Sequence, residues 1–157
     1  MERNTVRHLM MRALGGVAAA TLAFGHGALA SDAIYYRRPE SRQPFSEAVR
    51  AGDLLIVSGQ IGRPGDVPGD AAFDVAAHRA MDHISEILVR HGSNMDAVVK
   101  CTVMLRDMKT WPAFNTVYAS YFKPDRLPAR SAFQASGLAE NALLEVECWA
   151  YAPLPTP

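Results

Sequence analysis

The sequence predicts an α+β domain in which two helices cover one face of a mixed β-sheet. Three observations predict it. Short runs rich in valine, isoleucine and leucine read as strands, two other segments carry one apolar stripe each at helical spacing, and the two kinds follow in the order strand, helix, strand, helix, strand, strand. A helix with one apolar stripe has one surface to bury, so both helices belong on the same side of the sheet.

Residues 1–30 read as an export signal that precedes the domain. Arg3, Arg7 and Arg12 form a basic start, Ala13 to Leu29 is apolar and built of small residues, and Ala28-Leu29-Ala30 is an A-x-A cleavage pattern before Ser31. Gly15, Gly16, Gly25, His26 and Gly27 interrupt the apolar stretch, which makes it short and weak for a spanning helix. No Arg-Arg pair precedes it, which favours the general secretory route. The expectation is a periplasmic protein without stable membrane association after cleavage.

The 157-residue chain has 16 basic and 16 acidic residues, and the signal holds three arginines and one acid, so the remainder is close to neutral with a slight acidic excess. No basic stripe with interleaved aromatics points to nucleic acid, and no basic amphipathic helix points to a membrane surface.

Residues 31–43 are polar and read as an irregular leader; the domain then runs over 44–152, with a short tail at 153–157. The first strand is Asp53 to Ile61, after a turn at Ala51-Gly52, and a loop punctuated by Gly62, Pro64, Gly65, Pro68 and Gly69 follows. From Asp74 to His91, Ala77, Ala80, Met81, Ile84, Ile87 and Leu88 recur at helical spacing, and Gly92 stops the helix. The next strand is Val98 to Leu105, with Val99, Cys101, Val103 and Leu105 on one face and Lys100, Thr102 and Met104 on the other.

A second helix fits Thr110 to Phe122, with Thr110 as N-cap, Pro112 in the first turn and a stripe of Phe114, Val117, Tyr118, Tyr121 and Phe122. Two further strands, Arg130 to Ser136 and Leu143 to Tyr151, turn around Gly137. In the last, Val146, Cys148 and Ala150 face one way while Glu145, Glu147, Trp149 and Tyr151 face the other. The uncovered sheet face is thus too apolar for solvent and too polar for a monomer core. A homo-oligomer with pockets at subunit boundaries is expected.

Cys101 and Cys148 lie in strand-like runs and read as two small buried side chains, although an oxidising compartment would permit a disulfide. His78, His83 and His91 lack the spacing of metal ligands and read as solvated helix-face residues, so no metal is expected. Arg130 in a sheet is the most suggestive residue. Burying its charge is costly without an anion, so it reads as a fork for a substrate carboxylate, with a strand glutamate at Glu145 or Glu147 to hold or deprotonate a water.

Four stretches, Pro44 to Val49, Gly52 to Ile61, Phe114 to Tyr118 with Tyr121-Phe122, and Pro128 to Ser131 with Glu145 to Glu147, together resemble the RidA/YjgF family of enamine/imine deaminases. The resemblance implies a chorismate-mutase-like fold, a homotrimer with three sites between subunits, and cofactor-free hydrolysis of 2-aminoacrylate-type enamines and imines to 2-keto acids and ammonia. It makes Arg130 the carboxylate clamp and Glu145 the group that activates water, with Glu147 in a supporting role. Ser58, Gly59 and Asn115 would line the pocket. Phe45 stands where many deaminating members have tyrosine, and Ala132 where many have cysteine, which alters pocket polarity. The alternative is a non-catalytic periplasmic binder of small carboxylates on the same fold.

Overall fold

A computed structural model of the chain describes residues 33–69 and 71–154. The export signal read at residues 1–30 and most of the tail lie outside these residues. Six strands, β1 (Ile34–Tyr36), β2 (Ala48–Ala51), β3 (Leu54–Gly62), β4 (Val98–Leu105), β5 (Ala129–Gln134) and β6 (Leu144–Tyr151), form one sheet in the order β1-β2-β3-β6-β4-β5. The helices are α1 (Ala71–Arg90) and α2 (Trp111–Ser120). The expected α+β architecture is present, extended by two short strands at the β1 edge.

Sheet directions explain why the helices are where they are. β3 and β4 both run antiparallel to β6, and β4 is parallel to β5, so β3 to β4 and β4 to β5 each need a crossover. α1 is the first crossover and α2 the second. Their buried residues, including Met81, Ile84, Ile87 and Leu88 of α1 and Phe114 and Val117 of α2, meet Leu55, Val57, Val103, Leu105, Leu144 and Val146 of the sheet in one core.

Five expectations need correction. The leader read as irregular contains β1, which pairs antiparallel with β2. Three residues are too few for an alternation to register in the sequence. Val99 leaves the apolar face: the β4–β6 register shifts between Val98 and Lys100, so Val98 is buried and Val99 exposed. Thr110 does not cap α2 through its side chain. A 3₁₀ turn precedes the helix, and Asp107 caps it by accepting from the Lys109 amide at 2.9 Å.

Cys101 and Cys148 form a disulfide instead of two separate buried thiols. They are directly opposite each other on β4 and β6, both fully buried, with Cα atoms 4.1 Å apart. Only the strand register reveals that proximity.

The histidines also divide. His83 is exposed as expected, but His78 Nδ1 lies 2.8 Å from the Tyr121 hydroxyl between the helices. His91 stacks on Tyr36 at 4.0 Å and its Nε2 lies 2.8 Å from Glu47 Oε1.

Candidate active site

Arg130 is on the helix-facing side of β5, paired in register with the buried Cys101. α2 receives its guanidinium. Trp111, Asn115 and Tyr118 follow one another at i, i+4 and i+7, one stripe of that helix. The guanidinium carbon lies 4.6 Å from the Trp111 ring centroid, 4.6 Å from that of Tyr118 and 5.9 Å from that of Phe114. Arg130 Nη2 donates to Asn115 Oδ1 at 2.7 Å. The aromatic faces favour the cation and the amide fixes its rotation, so the remaining N–H groups are held in a fixed plane. No carboxylate pairs with Arg130 among the described residues.

Arg130, Asn115, Tyr118, Leu127 and Pro128 line a cleft of about 330 Å³. Ala132, two residues along, packs its small side chain against the core. Burial raises the Tyr118 phenol to about 12, slightly opposed by the Arg130 charge, so it is neutral at ordinary pH. Tyr118 was legible only as a core aromatic and Trp111 was not singled out; their spacing from Asn115 was the available signal for a cradle.

The second group forms around an irregularity in β3. Val57 pairs with Cys148 and Gln60 with Val146, so Ser58 and Gly59 together face Glu147. This bulge re-aims the chain. Ser58 Oγ donates to the Ser46 carbonyl at 2.7 Å, and the Ser58 amide donates to the Glu47 carbonyl at 3.0 Å. The Ser58 hydroxyl therefore fastens the segment that carries Phe45. Phe45 is exposed, and it shares with Gly59 the wall of a cleft of about 300 Å³.

Glu145 stands over Gly59. A β-carbon at Gly59 would lie 1.9 Å from Glu145 Oε1, so glycine leaves the space that the carboxylate fills. Glu145 pairs in register with Met104 and Ile61, on the sheet face without helices, and has no cationic partner among the described residues. Glu147, expected to be a supporting or ion-paired residue, pairs in register with Thr102 on the same face and has no ion pair among the described residues.

The structure thus separates the candidate residues. Asn115, Arg130 and Ala132 fall in one group, on the helix side of β5; Phe45, Ser58, Gly59 and Glu145 fall in another, at β3 and β6. Arg130 and Glu145 point from opposite faces of the sheet and do not meet within one chain.

The profile of the family described as Endoribonuclease L-PSP matches residues 35–152, which takes in every strand except the start of β1. The chain belongs to the RidA/YjgF family. The profile covers most of this chain and both groups of candidate residues. Among its relatives, "Reactive Intermediate Deaminase A, chloroplastic" of Arabidopsis thaliana is 34% identical over 115 residues, 71% of this chain and 60% of the plant protein. The mouse protein "2-iminobutanoate/2-iminopropanoate deaminase" is 34% identical over 115 residues, 71% of this chain and 83% of its own length. The fold of this RidA/YjgF chain also matches the crystal structure of yeast Mmf1, with a TM-score of 0.66 and 31% identity over 76% of this chain and 98% of the yeast chain.

Proposed function

We propose that this chain hydrolyses reactive enamine or imine acids of the 2-aminoacrylate type to 2-keto acids and ammonia, at sites between the subunits of a homotrimer. The observation that carries the reading is the pair of half-sites: a guanidinium held flat by Asn115 and two aromatic rings, and, on the opposite sheet face, a glutamate with no cationic partner among the described residues. A neighbouring copy completes each. Arg130 of one subunit would grip the substrate carboxylate and so place the imine carbon beside Glu145 of the next.

The chemistry needs one water. Glu145 takes a proton as the water oxygen bonds to the imine carbon and passes it to the imine nitrogen; the hydroxyl proton of the resulting carbinolamine then moves by way of Glu145 to the amine, which leaves as ammonia as the carbonyl forms. Charge on the substrate carboxylate is balanced by Arg130 throughout. The names of the plant and mouse relatives support this reaction class.

The same reading places the mature protein in the periplasm. The basic, apolar and A-x-A pattern of residues 1–30 supports it, and the Cys101–Cys148 disulfide is of the kind that persists in oxidising compartments. Blotting fractionated cells tests the location, and light scattering of the mature protein tests the trimer.

The function is tested by supplying imines from an amino-acid oxidase to purified residues 31–157. Faster keto-acid and ammonia release, abolished by Arg130→Ala, is the expected result. Carboxylate binding without turnover would instead assign the chain as a periplasmic binder, a role that Phe45, with no phenolic hydroxyl, would suit.

A further inference from the structure

The cleft beside Phe45 and Gly59 is basic, which the reaction itself does not require. Arg38, Arg63, Arg79 and His83 line it, and Glu47 is the one acid in its wall among the described residues. Glu47 is already committed: it accepts from Arg38 Nε at 2.7 Å and Arg90 Nη1 at 3.0 Å, and its Oε1 lies 2.8 Å from His91 Nε2. Arg63 pairs with Glu140, which is outside the cleft.

Arg79 is different. It projects from α1 and has no acidic partner among the described residues, yet its guanidinium is positioned. Arg79 Nη1 donates to the Arg63 carbonyl at 2.9 Å. The loop after β3 folds against the same group at Gly65, where φ is +64° and a β-carbon would lie 2.7 Å from Arg79 Nη1. A larger residue there would push the guanidinium away. The loop therefore seats an arginine, with no ion-paired acid among the described residues, at the rim of a cleft that shares Gly59 with the proposed site; Glu140, already paired with Arg63, lines a neighbouring cleft.

We propose that this cleft is a subsite for a second anionic group on the substrate side chain, with Arg79 as the specificity-determining residue. Resting on the deaminase reading, the preferred substrates are imines of dicarboxylic amino acids. Arg130 takes the carboxylate next to the imine carbon, and Arg79 takes the distal one. A substrate with only one carboxylate leaves the basic cleft with water alone.

The test compares imines generated from glutamate and from alanine by matching oxidases, with wild-type mature protein, Arg79→Gln and, as a charge-matched control, Arg126→Gln at an exposed position that lines neither the Arg79 nor the Arg130 cleft. The expected ratio of kcat/KM favours the glutamate-derived imine by roughly tenfold or more, the worth of one charged hydrogen-bonded contact. Arg79→Gln should lower that ratio about tenfold and Arg126→Gln should not change it. Turnover of both imines with a ratio near one, or a ratio that Arg79→Gln leaves alone, overturns the subsite while the deaminase reading stands. If neither imine is turned over, that reading fails and calorimetry decides the subsite. Selective binding of 2-oxoglutarate over pyruvate that Arg79→Gln weakens sustains it; equal binding overturns it.

Discussion

The carboxylate of Glu145 fills the space that a side chain on Gly59 would need, 1.9 Å from the position of its absent β-carbon. Gly59 is not in the left-handed region, so its backbone accepts alanine without strain. The atom in the way is the tip of a flexible side chain, which can rotate aside. Gly59→Ala is therefore expected to fold with stability within about 1 kcal/mol of wild type, while losing activity on the order of a hundredfold because the base is displaced. Urea denaturation beside imine turnover checks the two halves. Full activity would show that the position of the Glu145 carboxylate is immaterial.

The parts legible in the sequence were those in which a periodicity repeats. Ala77, Ala80, Met81, Ile84, Ile87 and Leu88 are all buried in α1, and Val146, Cys148 and Ala150 are buried while Trp149 and Tyr151 are exposed in β6. Strands of three and four residues at β1 and β2 contain too little alternation to announce themselves. The Ser58–Gly59 bulge was hidden for a related reason: one inserted residue breaks the period where Gln60 changes face. Arg130 and Glu145 were each recognisable as chemistry on a strand. Their placement on opposite faces depends on how β5 and β6 register with β4, which is a property of pairing between segments distant in the chain.

The disulfide joins two strands that already pair in the centre of the sheet. It closes a loop between residues 47 apart in sequence, including the whole α2 crossover. Restricting that loop in the unfolded chain stabilises the fold by about 3–4 kcal/mol. The double substitution Cys101→Ala and Cys148→Ala, which leaves no buried hydroxyl behind, should lower the unfolding free energy by about this amount. Reductant should destabilise the wild type similarly and leave the double variant unaffected. An unchanged denaturation midpoint in reductant would show that the bridge contributes nothing.

Glu47 gives the fold an acid-sensitive contact. Its burial favours the neutral carboxyl, but hydrogen bonds from His91, Arg38 and Arg90, with the Arg90 charge, outweigh that and hold it at about 2. A carboxyl lowered in the folded state stabilises fully above its ordinary value of 4.5, and this contribution disappears as pH falls toward 2. Glu47→Gln should therefore be less stable than wild type at neutral pH, with the difference shrinking through that window. Chemical denaturation at pH 7, 4 and 2.5 measures it. A difference constant across all three would assign the loss to packing rather than to charge.

Because Arg130 and Glu145 face away from each other within one chain, two inactive variants should repair one another. Arg130→Ala keeps a sound Glu145, and Glu145→Gln keeps a sound Arg130. In trimers assembled at random from equal amounts, a boundary works when its glutamate comes from the first variant and its arginine from the second, about one boundary in four. Refolding the two together should thus restore about a quarter of wild-type turnover, while either refolded alone stays inactive. Recovery also separates assembly from chemistry, since each variant alone should show the wild-type mass by light scattering. If both partners of a site belonged to the same chain, every mixed trimer would contain only broken sites and no activity would return at any mixing ratio.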